Sequence, residues 1–206
     1  MMDLIAAHRR SLADALGTLT ARQWQSPSLC AGWTATHVLA HQTMPFRISE
    51  ADFMAGMGRC GGDFTKFSNE IAERDSKLPP HELVKVLRDN ADTRWIPPGG
   101  GLTGALTHDV IHGLDIAWPL ELAYVIPVHA TTTVLDALVS AGSQTLFGFP
   151  LAGIRVAASD VDWSAGDGAE LTGRSRDLVP LLAGRAVPRE LFEGEGAAMA
   201  WPQADR

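Results

Sequence analysis

The chemistry-capable residues of this 206-residue chain concentrate in one short run, His108-Asp109-Val110-Ile111-His112. Two imidazoles four residues apart on a helix stand one turn above each other, with Cβ atoms roughly 5–6 Å apart, close enough to share a metal ion. Far upstream, His37-Val38-Leu39-Ala40-His41 places His41 on another apolar stretch of helical character. Three neutral imidazoles drawn from two helices would leave a coordination position open, as a catalytic metal requires. The spacing by itself admits a plainer reading, in which two histidines one turn apart are half-exposed helical side chains.

The elements that must position these residues are read from periodicity. Leu4, Ile5, Leu12, Ala15, Leu16 and Leu19 recur at helical spacing, which predicts an amphipathic helix over about 2–18. The 27–32 segment, Pro-Ser-Leu-Cys-Ala-Gly, is a loop, and Thr34 is placed to cap a helix carrying His37 and His41. A glycine-rich break at 58–63 precedes a helix over 64–77, and Pro79-Pro80 opens another over 81–95. After the 97–101 break, Pro-Pro-Gly-Gly-Gly, a helix over 102–117 holds both His108 and His112 and stops at Pro119. One long helix is expected over 127–147, with proline in its first turn.

Beyond Phe149-Pro150 the texture changes. Strands are predicted at 154–158 and 169–172 around a Gly166-Asp167-Gly168 turn, then a short helix over 175–183 closed by Gly184, and a last strand over 191–200. The expected architecture is therefore mostly α: a helical bundle over 1–150 followed by a small C-terminal α+β domain over 151–206.

Composition narrows the class. The chain carries 17 basic against 24 acidic residues, a net charge of −7, with no basic block or aromatic-basic stripe, so nucleic acid is not an expected partner. Cys30 and Cys60 are the two cysteines and lack C-x-x-C spacing, which argues against a disulfide scaffold or a thiolate zinc site. Met1-Met2-Asp3 leads straight into the first helix, and no apolar run reaches membrane-spanning length. The expected setting is cytoplasmic, away from the membrane.

Three separated stretches then carry a resemblance. Trp24 with Pro27-Ser28-Leu29-Cys30-Ala31-Gly32-Trp33-Thr34 and Val38-Leu39-Ala40-His41 resembles the opening of the mycothiol-dependent maleylpyruvate isomerase family, within the DinB-like superfamily of metal-binding four-helix bundles. His108 through Asp115, H-D-V-I-H-G-L-D, is similar to the segment where that family places its other two metal ligands. Asp160-Val161-Asp162-Trp163, Gly166-Asp167-Gly168, Gly173, Asp177-Leu178 and Leu182-Ala183-Gly184-Arg185 resemble its small C-terminal domain.

The resemblance implies a bacterial, metal-dependent enzyme with His41, His108 and His112 as ligands. The family's isomerase carries glutamate where this chain has His108, so a charged ligand is exchanged for a neutral one, and maleylpyruvate is not the expected substrate by default. The implied metal is zinc, with nickel, iron or copper also suited to imidazole. The implied chemistry is isomerase- or S-transferase-like: mycothiol or a related small thiol binds the metal, loses its proton and attacks a small electrophile.

Asp115, three residues after His112 and on nearly the same face, is expected either to orient a ligand or to sit in a buried ion pair. Arg185 is expected to reach an anionic group of thiol or substrate, or else to be an exposed residue after a helix end. His37 is expected at the first helical turn away from the metal, Cys30 as a packed small side chain, and Cys60 as an exposed loop thiol. Trp24, Trp33 and Trp163 are expected to pack, and His8, His81 and His129 show no partner pattern. Two further function classes stay open. One is a non-enzymatic protein binding metal or a small ligand, and the other a metal-hydroxide hydrolase or peptidase with Asp109 as general base. Monomer and homodimer are both compatible with the chain.

Overall fold

The computed structural model describes residues 1–201. Helix α1, Met2–Leu16, buries Ile5, Leu12 and Leu16 and, on the same face, the polar His8 and Arg9. A one-turn helix α2, Ala21–Trp24, starts on a capping box, with Thr20 accepting from the Gln23 N–H and Gln23 reaching back to the Thr20 backbone. Helix α3, Ala35–Thr43, follows Thr34, whose N–H donates to His37 Nδ1 at 3.3 Å. Helix α4, Glu50–Arg59, is capped by Ser49, and α5, Phe64–Asp75, by Asp63. Then come α6, Pro80–Asp89, and α7, Gly101–Ala117, the longest element.

Four of these helices close a ring: α1 packs on α6 and α7, and α3 packs on the same two. Helix α5 lies outside α3, and α8, Val128–Leu138, outside α7. Helix α9, Ala141–Phe147, leads to a three-stranded sheet of β1, Ile154–Ala158, β2, Ser164–Ala165, and β3, Ala169–Gly173, in the order β2-β1-β3. Val156 of β1 stands opposite Ala165 in the antiparallel pair and opposite Leu171 in the parallel one. Helices α10, Ser175–Leu182, and α11, Glu195–Ala200, complete the small unit. The core ignores the change of texture at residue 150. Leu106, Val110 and Leu114 of α7, Val134 and Leu138 of α8, Ile154 and Val156 of β1 and Leu178 and Leu182 of α10 form one buried apolar cluster.

Three expectations from periodicity are corrected, and one helix was missed. The 81–95 helix ends at Asp89, because the carbonyls of Asn90 and Thr93 turn inward to accept from Arg9 Nη1 at 3.1 and 2.9 Å. The single 127–147 helix is two, broken at Val139-Ser140, where Ser140 caps α9. The last strand is reduced to one bridge between Glu193 and Thr172. Gly194, at φ 94°, then turns the chain into the alanine-rich α11. Helix α4 escaped the pattern because of Gly56 and Gly58, and Gly56 is required there: a Cβ on it would lie 2.1 Å from the Phe67 ring.

Gly113 is explained in the same way. It sits inside α7, where glycine is a poor helix former, because a Cβ would stand 2.8 Å from the Tyr124 hydroxyl. Among the described residues no helix is long and apolar enough to cross a membrane.

Candidate metal centre

Helices α3 and α7 cross, and at the crossing three imidazoles meet. His41 and His108 approach to 3.4 Å between their Nε2 atoms. The ring centres lie 5.3 Å apart for His41 and His108, and 4.7 Å for each of these with His112. One ring nitrogen from each of the three falls within 4.8 Å of the others. The i, i+4 spacing on α7 supplies two of them, and the third is delivered by the last turn of α3.

The opposite nitrogen of every ring is occupied. His41 Nδ1 is 2.8 Å from Ser68 Oγ of α5, His108 Nδ1 is 3.1 Å from Asp109 Oδ1, and His112 Nδ1 is 2.9 Å from Asp115 Oδ2. A carboxylate only accepts, so His108 and His112 carry their protons on Nδ1 and leave the Nε2 lone pair free. Each carboxylate is itself held by an arginine. Arg9 Nε donates to Asp109 Oδ2 at 2.6 Å, and Arg185 donates to both oxygens of Asp115 at 2.8 and 2.9 Å. Two Arg–Asp–His chains therefore run into one cluster from opposite ends of the sequence.

The electrostatics keep this set ready for a cation. Burial, then the neighbouring His112 and His108, hold His41 well below the ordinary imidazole range, and burial lowers His112 as well. Burial pushes Asp115 up, but hydrogen bonds from His112 and Arg185 outweigh it, and the carboxyl is held low. Asp109 is lowered likewise, its burial outweighed by the His108 hydrogen bond and the charge of Arg9. Three convergent imidazoles, each held at its other nitrogen, fit a borderline divalent metal.

A cleft of about 640 Å³ runs past His41 and His112 and is walled by Trp33, Phe64, Asn69, Cys30 and Arg185. His108 packs against the Trp95 indole, ring centres 5.1 Å apart. Asp115 is brought against His112 and paired with Arg185 at once. Arg185 lines the cleft with its guanidinium gripping Asp115.

His37 is outside the cluster, tied to Thr34 and to Glu73 at 3.2 Å. Asp109 is not free to act as a general base, since one oxygen faces His108 and the other Arg9. That removes the peptidase reading built on it.

Several residues were misjudged or missed by sequence reasoning. Cys30 is in the cleft wall rather than simply packed, with its Sγ 3.0 Å from Asp115 Oδ2; burial and then Asp115 push its thiol up. Together with His112 and Asp115 it forms a second group of potential ligands. Cys60 is buried beside Met44 and Phe67, not exposed. His8 has a partner, the Tyr124 hydroxyl at 3.1 Å. Trp33 packs as expected, and one of the rings it packs on is His41, with ring centres 5.3 Å apart. Ser68 and Arg9 carried no signal, because each acts through a contact far away in sequence.

Fold and site together define a mostly helical bundle with a small three-stranded α+β unit after it, carrying a three-histidine cluster at a helix crossing. Residues 5–95 match the family model described as the mycothiol maleylpyruvate isomerase N-terminal domain. Two solved structures, the mycothiol-dependent maleylpyruvate isomerase and a histidine-to-alanine variant of it, share the fold. Each has a TM-score of 0.60 at 16% sequence identity, covering 95% of this chain and 92% of that one. No curated protein matches the chain.

Proposed function

We propose that His41, His108 and His112 hold a divalent transition metal, zinc foremost, and that the adjoining cleft takes a small thiol of the mycothiol type for attack on a small electrophile. The observation that carries this reading is the convergence of three ring nitrogens while Ser68, Asp109 and Asp115 occupy the other three. Bound there, the metal would supply a Lewis acid able to lower the pKa of a coordinated thiol, so that thiolate forms near neutral pH. The chain's own groups prepare that position. Asp109 and Asp115 keep protons on the Nδ1 atoms, and Trp33 and Phe64 border the cleft with apolar surface.

Charge decides what the cleft favours. Asp109 and Asp115 are each neutralised by an arginine, so three neutral ligands would leave a bound cation with its full double charge locally. An anionic sulfur is a suitable partner for that charge. The N–H groups of Arg185 not given to Asp115 or to the Ala183 carbonyl can receive a carboxylate of the thiol or of the electrophile. The electrophile would be attacked at an activated double bond or at a carbon bearing a leaving group, and histidine in place of the family's glutamate leaves its identity, maleylpyruvate included, to be found by assay.

Cobalt substitution tests the reading. Adding mycothiol, or a simple surrogate thiol, to the cobalt-loaded chain should produce a sulfur-to-metal charge-transfer band and release a proton. Replacing His41, His108 or His112 by Ala should sharply reduce bound metal in elemental analysis. Metal uptake with a spectrum indifferent to every thiol across neutral pH would leave a metal-binding protein without thiol chemistry.

A further inference from the structure

We propose that Arg9 is a positioning residue of the metal centre, acting through Asp109 on the ring of His108; this rests on the metal reading above. Arg9 belongs to α1, and its side chain is fully buried on the face that also buries Ile5, His8, Leu12 and Leu16. Burying a guanidinium is costly, and an apolar side chain of similar volume would serve the fold of α1 at least as well. The arrangement that has been kept is specific. Nε donates to Asp109 Oδ2 at 2.6 Å, Nη1 donates to the carbonyls of Thr93 and Asn90, and the guanidinium lies 4.9 Å from the centre of the Phe46 ring.

The geometry of α7 says why such an anchor is needed. Asp109 directly follows His108, and consecutive side chains on a helix diverge rather than face each other. A free aspartate there would turn away from the ring. With Oδ2 pinned by Arg9, Oδ1 stays 3.1 Å from His108 Nδ1 and holds the proton there. At the other end of the cluster, Arg185 grips Asp115, which holds His112 in the same way, although i, i+3 spacing already favours that contact. Of the two chains, the Arg9 chain is the one whose carboxylate depends on its arginine for direction. It also links α1 and the 90–93 turn to a ligand on α7.

Two measurements on the whole chain separate this role from a structural one. Arg9→Lys keeps the charge but loses the planar fork, and Arg9→Met with Asp109→Asn removes both charges while leaving an oxygen for His108. Both should lower zinc affinity about 10- to 100-fold, the range expected for losing a ligand's outer partner. Leu87→Ala, a core truncation in α6, should lower thermal stability without that loss. In the metal-free protein the His108 Nδ1 proton should give a slowly exchanging nuclear magnetic resonance signal that collapses in Arg9→Lys. Folded Arg9→Lys protein with wild-type zinc affinity and an intact signal would overturn the proposal. If the wild-type chain takes up no zinc, the metal reading falls, while the ring proton still decides whether Arg9 positions His108.

Discussion

Asp115 is the residue on which most of the cleft converges: it accepts from His112, from two nitrogens of Arg185 and from the Cys30 thiol. Asp115→Asn should therefore have a double effect. Losing the charge frees the His112 ring to take either tautomer and should weaken zinc binding about 10- to 100-fold in calorimetric titration. It also strands Arg185, at a cost of about 3 kcal/mol in urea denaturation. That is the lower end of the range for breaking a buried pair, because the guanidinium is a fifth exposed. Adding Arg185→Met should recover much of the stability and none of the zinc affinity. His37→Ala should leave zinc affinity unchanged, since that ring is engaged with Thr34 and Glu73.

At the scale of the element, α7 shows a helix built around its neighbours rather than around its own propensity. Gly113→Ala should gain about 1 kcal/mol of helix propensity and lose about 1–3 kcal/mol by overpacking against the Tyr124 hydroxyl and Leu12. The net effect expected is destabilisation. Tyr124→Phe removes the nearest atom, so the double variant should recover part of the loss in a thermal scan; equal and additive losses would show that the hydroxyl is not the obstacle. The same logic explains the periodicity errors. Helix α6 stops where Arg9 captures carbonyls of the following turn, and α8 gives way to α9 where Ser140 caps a new start. Both breaks are set by hydrogen bonds that an apolar repeat does not register.

Across the described residues, the 1–150 and 151–201 parts differ in architecture yet share one core. We propose that they fold as one unit. A chain ending at residue 150 would lose the cover that Ile154, Val156, Leu178 and Leu182 give to α7 and α8, and would lose Arg185 as well. It should show no cooperative melting, whereas two separate transitions in the intact chain would refute the single unit.

The pH response is also global. His8, His41 and His112 are all held below the ordinary imidazole value of 6.5, chiefly by burial. Below that pH the unfolded chain binds protons that the fold refuses, so stability should fall as pH drops from about 6.5 and level off once the folded-state values are passed. Asp109 and Asp115, held below 3.8, should add a second loss under acid conditions. Urea midpoints measured across pH 3–8 check both stages, and a flat profile between 7 and 5 would contradict the first.

The histidine pair on α7, the Thr34 start of α3, the helical bundle and the strands at 154–158 and 169–172 were legible in the linear sequence. They rest on short-range rules: i, i+4 spacing, capping chemistry and alternation act over a few residues and leave their mark locally. What only the tertiary structure decided is who stands behind each histidine of the cluster. Arg9 lies 100 residues from Asp109 and Arg185 lies 70 from Asp115, and Ser68 reaches His41 from a different helix. These contacts form because buried charges and ring nitrogens must find partners wherever packing brings them, and sequence separation does not constrain that search. Cys30 and Trp33 entered the cleft for the same reason: their loop is carried there by the crossing of α3 and α7, a property of the assembled bundle and of no single segment.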